Sequence, residues 1–397
     1  MDREKQESRY YHDKTQQRLD EFEVARVQQD EGQRARLEDY FARKAADEAE
    51  RAERNMKESM GLRAWMAASD WTTSFNAAEK HRTENTGNWF IRHHKYKSWI
   101  ENQFKRELND VEFSERLLFI SGKPGYGKTV LSTRIISDIR RCIGRDEPTD
   151  KGAIAFFYFN AQHHDSTSNE SALRAIATQL LHDNKDDTDF IDLAVLLMDD
   201  MGSGQSTATE REIQSIIRIF LGRLGASFLI FDALDGCRDW EELLETLDNV
   251  TRGSKCSVVC LGRPHLCVVK SVGSNTSQFR LETEENLGDM KRYLEPKIQA
   301  LYKRGKFPDS LTVTETVEKI VSRADSMFLW VVLMIGYLSS PLLTPNNRLQ
   351  AINDIHILEG LDAMYKQILE DLKRRLPKSL WSITKRMFQW LVVAQTP

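Results

Sequence analysis

An α/β core built on a parallel sheet, followed by an all-helical half, is the fold class predicted by this sequence of 397 residues. Three observations predict it. Gly122-Lys123-Pro124-Gly125-Tyr126-Gly127-Lys128-Thr129 fits the phosphate loop G-x-x-x-x-G-K-[ST], and it lies between an apolar run at 117–120 and a helically spaced stretch from Val130 to Ile139. Further on, Phe228-Leu229-Ile230-Phe231-Asp232 is an apolar run that ends in an acid. Across 113–282, strand-like runs alternate with helical patterns, which is the signature of β-α-β units.

Residues 1–60 hold 13 basic and 16 acidic side chains with no proline, so a charged helical segment is expected there. Its apolar residues are sparse. Leu19/Phe22 and Leu37/Phe41 match helix spacing, but no heptad persists, which leaves a helical hairpin or weak coiled coil for a partner beside a plain solvated helix. Residues 61–112 form a helical linker with Trp65, Trp71, Trp89 and Trp99, half of the chain's eight tryptophans. Packing is the ordinary use of such rings, and base stacking is the alternative. Asp70 is placed to cap a helix, and Thr86-Gly87-Asn88 reads as a turn.

In the core, strands are expected at 117–121, 153–159, 228–232, 257–261 and, more weakly, 279–281. Helices are expected at 130–143, 172–181, 212–224 and 240–250. Residues 185–210 read as a polar loop. From 283 to 397 everything reads as helix, divided by Pro296, Pro308, Pro341, Pro345 and Pro377. Met327 to Leu338 is the longest apolar stretch. A membrane span needs about 18 residues, so this one reads as a core helix. A last apolar stretch at 381–393 suggests that more protein follows it.

The glycine loop has a direct chemistry. Gly122, Gly125 and Gly127 let backbone N–H groups turn into one concavity at a helix N-terminus, an anion nest to which Lys123, Tyr126 and Val130 also belong, with Pro124 shaping the turn. Lys128 supplies a positive charge for the β- and γ-phosphates, and the Thr129 hydroxyl is a magnesium ligand. Asp232 would hold the same Mg²⁺ through water, and Asp235 faces the metal or the attacking water. Arg263, after the strand at 257–261, is placed to read γ-phosphate charge. The binding candidates are therefore 122–130, the metal candidates Thr129 and Asp232, and the catalytic candidates Asp235 and Arg263.

Composition excludes several classes. A net charge of −4 implies no polyanion partner, and no base-reading motif for nucleic acid is present. The five cysteines show no paired C-x-x-C, so neither a disulfide frame nor a zinc site is expected. The start lacks the apolar core of a signal peptide, and a cytoplasmic location is expected. His163-His164-Asp165 reads as loop residues with no third metal ligand near, and His93-His94-Lys95 as a polar loop or a helix start. Arg140-Arg141 suits the C-terminal end of the helix that follows the phosphate loop.

Taken in order, these pieces resemble the fungal NACHT-type STAND P-loop NTPases with a nephrocystin-3-like N-terminal region. The resemblance covers roughly residues 62–397. It rests on Thr86-Gly87-Asn88-Trp89-Phe90, the phosphate loop, Asp232-Ala233-Leu234-Asp235-Gly236-Cys237 and Gly262-Arg263-Pro264. Asn286, Asp289 and Tyr293, then Met327-Phe328-Leu329-Trp330-Val331 and Leu361-Asp362-Ala363-Met364-Tyr365, complete it. The resemblance implies a P-loop domain of the additional-strand type at 113–282, a helical domain at 283–345 and the start of a winged-helix domain, truncated, at 346–397. It also implies a nucleotide-dependent signalling switch, closed with ADP and open and self-associating with ATP. ATP over GTP is part of that implication, since nothing in the loop selects the base. Residues 1–60 stand where such proteins carry an effector segment that docks a partner.

Two departures bear on turnover. Family members carry an acid where this chain has Gly236, and a serine or threonine where it has Gly262. Glycine cannot orient water or act as a base, so hydrolysis is expected to be slow or absent while binding survives. Two other readings stay open: a nucleotide-binding scaffold that does not hydrolyse, and a P-loop kinase.

Overall fold

The structure is a computed structural model that describes residues 16–17, 31–105, 111–144, 151–161, 166–201, 205–281, 286–308, 310–341, 343–354 and 360–393. Five strands, β1 (Leu117–Ser121), β2 (Ile154–Tyr158), β3 (Ser227–Asp232), β4 (Cys256–Gly262) and β5 (Ser277–Arg280), form one sheet in the order β2-β3-β4-β1-β5. Every neighbouring pair is parallel. β4 therefore lies between the strand that feeds the glycine loop and the strand that ends in Asp232, which is the additional-strand arrangement. Strands β1 to β4 are buried along their whole length, and for that reason they read as unbroken apolar runs.

Ahead of the sheet come α1 (Glu31–Met66), α2 (Thr72–His81), α3 (Asn88–Arg92), α4 (His94–Lys105) and α5 (Phe113–Arg116). Interleaved with it are α6 (Lys128–Ile143), α7 (Asn169–Asp183), α8 (Thr188–Met201), α9 (Glu210–Arg223), α10 (Trp240–Thr251) and α11 (Val268–Val272). A helical layer follows: α12 (Leu287–Lys303), α13 (Val313–Arg323), α14 (Phe328–Ser339), α15 (Pro345–Asn353), α16 (Gly360–Arg375) and α17 (Lys378–Val393).

Successive strand residues face opposite sides, so each face of the sheet builds its own core. Phe119, Leu229, Phe231 and Val258 meet Ile176, Ile217 and Leu247 of α7, α9 and α10. On the other face Ile120, Phe228, Ile230 and Val259 meet Ile135 of α6 and Phe75, Phe90 and Trp99 of α2 to α4. The tryptophan-rich segment is thus part of the sheet's packing. Trp65 and Trp99 are buried, and Trp71 packs against both cores.

Three expectations need correction. Residues 185–210 are not one polar loop, because 188–201 form α8. Phe190, Ile191 and Ala194 recur at helical spacing and bury one face, a stripe hidden among flanking Asp and Ser residues. Pro296 does not divide two helices but sits inside α12, at an exposed position where its missing N–H faces water. The helix α1 runs through residue 60 without a break. Its outer turns are exposed, whereas Leu62, Trp65 and Met66 are buried and Arg54 pairs with Asp192 of α8 at 2.8 Å. Asp70, as expected, accepts from the Thr72 N–H at 2.8 Å and caps the start of α2.

The helical layer has its own core around Leu294, Ile320, Trp330, Met334 and Leu338. Beside that core Arg348 is completely buried, with no carboxylate partner among the described residues. It donates to the carbonyl of Leu338 (2.7 Å) in the last turn of α14 and to those of Ser340 (2.5 Å) and Leu343 just beyond it. Arg348→Met keeps the apolar stem but strands those carbonyls. It is expected to cost about 2–4 kcal/mol, read as a lower urea midpoint for unfolding of the helical layer. An unchanged midpoint would show that water satisfies them.

Candidate functional site

β1 delivers the chain to Gly122, and α6 begins at Lys128, so the loop between them spans the carboxyl end of the sheet, where open α/β folds place ligands. Gly125 (φ 79°) and Gly127 (φ 81°) adopt the left-handed conformation that side chains disfavour. Gly125 also has no space for one: a Cβ there would lie 2.9 Å from Leu329 Cβ and 3.1 Å from Met327 Cγ. The Leu329 N–H donates to the Gly125 carbonyl at 3.2 Å. The loop is thus gripped from outside by the start of α14. Lys123 and Pro124 are exposed at the loop's tip, while the Tyr126 ring is buried beneath it.

Lys128 donates its ammonium to the carbonyls of Gly122 (2.6 Å) and Lys123 (3.0 Å), which folds the loop around its own cation. Burial lowers its pKa, a shift that Asp232 and Asp235 oppose. Asp232, the last residue of β3, is 1% exposed. Desolvation pushes its carboxyl up to about 6, although the Thr129 hydroxyl and the Lys128 charge pull the other way. Its Oδ1 is buried with no hydrogen-bond partner among the described residues. An orphaned carboxylate oxygen beside a threonine hydroxyl is a hard-oxygen donor set, and it fits Mg²⁺. Thr129 and Asp232 are the residues that would hold the ion.

The two catalytic candidates come together, but on each other. Arg263, just past β4, places Nε 2.8 Å from Asp235 Oδ2, and its backbone N–H donates to Asp235 Oδ1 at 3.2 Å. Asp235 lies in a 3-10 turn, Leu234–Gly236, entered through Ala233, a non-glycine residue with φ 54°. A Cβ on Gly236 would lie 3.2 Å from Phe159 Cβ, so a side chain there needs only a small shift of its neighbour. At Gly262 a Cβ would approach Leu266 Cδ1 to 2.8 Å, a contact that a shift of the leucine's end relieves.

A cavity of about 610 Å³ is lined by Thr129, Val130 and Asp232, by Arg82, Thr86 and Trp89 from the segment ahead of the sheet, and by Asn286, Asp289 and Phe328 from the helical layer. Sequence reasoning placed the phosphate end of this cavity but not its far walls. Their residues lie 33 to 199 positions from the glycine loop, and no spacing rule joins them. His163, His164 and Asp165 lie outside the described residues. His94 opens α4, and its ring stacks on that of His93 at 4.4 Å. Among the described residues no group of three His, Cys, Asp or Glu side chains suits a metal ion, and no helix is long and apolar enough to cross a membrane.

Strand order, glycine loop and buried strand-end acid together define a P-loop NTPase fold of the additional-strand class. Residues 85–263 match the family described as "Nephrocystin 3, N-terminal". Over 289 residues the chain is 23% identical to the vegetative incompatibility protein HET-E-1 of Podospora anserina, covering 67% of this chain and 20% of that protein. Residues 85–263 are accordingly similar to that family, and the chain spans about a fifth of the relative's length. Two solved structures align more loosely. C. elegans PCH-2 is 13% identical with a TM-score of 0.38, over 75% of this chain and 72% of that one. The Aeropyrum pernix ORC1 protein, solved in complex with DNA, is 14% identical with a TM-score of 0.35, over 75% and 70%. Likeness at that level adds nothing to what the strand order already carries.

The raised pKa of Asp232 has a signed consequence. The unfolded chain ionises this carboxyl near 3.8, while the folded chain keeps it protonated up to about 6. Its contribution to stability therefore falls as pH rises from about 4 to 6 and is level above. A magnesium ion needs the ionised form, so affinity for Mg-nucleotide is expected to fall about tenfold per pH unit below 6. Asp232→Asn is expected to remove that dependence. Titration calorimetry between pH 5 and 8 measures it, and a flat profile in the unsubstituted protein would contradict the assignment.

Proposed function

We propose that this chain is a nucleotide-dependent switch that binds ATP or ADP with Mg²⁺ and hydrolyses slowly. The observation that carries the reading is the partnerless Asp232 Oδ1 beside Thr129 and Lys128, at the mouth of a cavity that the helical layer closes. In this reading the backbone N–H groups of the loop around Gly125 and Gly127 and the Lys128 ammonium take the terminal phosphates, and Lys128 exchanges its loop carbonyls for phosphate oxygens. Magnesium, when bound, neutralises phosphate charge. A ligand that touches both the glycine loop and the helical layer binds differently to docked and undocked forms, and that difference is what switches. Self-association, an effector role for residues 1–60 and the winged-helix assignment of 346–397 belong to the same proposal. They are supported by the resemblance to HET-E-1 over part of its length.

A second reading, binding without hydrolysis, is favoured by one feature. Asp235 is tied to Arg263, and Gly236 offers no base, so neither position leaves a free group for an attacking water. The two readings separate on the nucleotide released from purified protein after denaturation. Near-stoichiometric ADP, lost in Lys128→Ala, supports the hydrolysing switch, and intact ATP supports the scaffold. Protein that takes up no nucleotide from Mg-ATP overturns both.

Slow hydrolysis predicts a gain of function. Gly236→Glu restores a carboxylate at a position with nearly enough room for it, and a placed base is worth about 10²–10⁴ in rate. ATP turnover in this variant is expected to rise at least tenfold, and Asp235→Asn is expected to lower whatever turnover the parent shows. Turnover that is fast in the parent and indifferent to both changes would refute the account of Gly236.

A further inference from the structure

Asp289 takes no part in phosphate chemistry, yet it is 3% exposed at the seam between the sheet and the helical layer. A buried carboxylate must be hydrogen-bonded to be tolerated. Oδ2 accepts the Gly87 N–H at 2.6 Å, Oδ1 pairs with Arg292 Nη1 at 2.7 Å, and the Trp89 indole is a further donor. One turn earlier, Asn286 Nδ2 donates to the Tyr126 carbonyl of the glycine loop at 3.4 Å. The turn at 86–88 is tied from its other side as well, since Arg134 Nε of α6 donates to Asn88 Oδ1 at 2.9 Å. The turn that joins α2 to α3 therefore hangs between α6, the helix that follows the glycine loop, and α12 of the helical layer. Thr86, Gly87, Trp89 and Asp289 line the same cavity as Thr129 and Asp232, with Gly87 set against Leu131 and Arg134 in the second turn of α6, beyond the glycine loop.

We infer that Asp289 is a positioning residue for the nucleoside end of the ligand. It fixes the 86–88 turn as a wall, so the nucleoside is held jointly by both layers while the phosphates are held by the glycine loop. The inference rests on the nucleotide reading above and adds which part of the ligand couples the layers. Its acceptor function is separable from its volume: Asp289→Leu keeps size and removes both oxygens, whereas Asp289→Asn keeps one oxygen for the Gly87 N–H.

The test is calorimetric titration of the full chain with MgADP and with magnesium pyrophosphate, a probe that has phosphates but no nucleoside. Asp289→Leu is expected to weaken MgADP about tenfold or more, Asp289→Asn less than about threefold, and neither to change pyrophosphate affinity. MgADP affinity unchanged in Asp289→Leu, or both probes weakened alike, would overturn the positioning role. Where Asp289→Leu fails to fold, amide hydrogen exchange on the unsubstituted chain decides. The peptide over 85–92 should gain protection with MgADP and not with pyrophosphate, and equal protection by the two probes counts against the inference. An unsubstituted chain that binds neither probe defeats the nucleotide reading itself, and one that binds pyrophosphate but not MgADP defeats this inference alone.

Discussion

The contact of Met327 and Leu329 with Gly125 is the constraint on which the rest of the site depends. Gly125 must be left-handed for the loop to curl its N–H groups inward, and it must lack a side chain for Leu329 to sit 2.9 Å from where a Cβ would be. The turn that supplies those residues is itself costly. Asp325 (φ 43°) and Ser326 (φ 57°) are both left-handed without being glycine, a conformation that persists only when the surroundings enforce it. The enforcement comes from two cores that meet there, since Met327 packs against both the sheet's second core and the core of the helical layer. A segment held this way reports on the glycine loop to every helix behind it.

Charge in the site is arranged so that every group is partly satisfied and one keeps an orphaned oxygen. Lys128 rests on its own loop's carbonyls, Arg263 on Asp235, and Asp289 on Gly87, Trp89 and Arg292. Asp232 alone combines near-complete burial with an oxygen lacking a partner, and desolvation drives it toward the neutral form. A cation near Asp232 reverses that preference. The same ion would draw on Thr129, whose hydroxyl otherwise supports Asp232. The Arg263–Asp235 pair is half exposed on the arginine side, so it holds the two groups in place without a large energetic stake and remains free to part.

How much of this was legible in the sequence follows from chain distance. The glycine loop, β1, β3, β4 and the helix α6 were readable because each is a local pattern of period 2 or 3.6 flanked by its own turn residues. The order of the strands, with β4 between β1 and β3, was reachable only through family resemblance, because nothing local says which parallel strands are neighbours. The seam was not legible. Gly87 and Asp289 are 202 residues apart and Asn286 and Tyr126 are 160 apart, so their pairing is a property of packing alone. α8 was missed because three buried residues were diluted among acids, and Pro296 was over-read because its exposure could not be known. The pairing of Asp235 with Arg263 belongs to the same kind, since both were named as candidates but their mutual contact depends on how two strand ends converge.

The energies at the seam are of the size that a switch requires. The bonds from Asp289 to Gly87 and Trp89, from Asn286 to Tyr126 and from Leu329 to Gly125 each contribute on the order of 1 kcal/mol net. A ligand at 100 times its dissociation constant adds about 2.7 kcal/mol to whichever form binds it. These terms are comparable, so neither the seam nor the ligand dominates by itself. Moving a two-state equilibrium from 1:99 to 99:1 takes about 5.5 kcal/mol of differential binding. Phosphate contacts supply little of that difference if the glycine loop keeps its shape in both forms. The nucleoside wall can supply more, because one of its sides belongs to the helical layer and leaves when that layer leaves. Placing a desolvated carboxylate there, in a seam that apolar residues would hold as firmly, makes physical sense if the wall must be tight when the layers are docked and readily hydrated when they part.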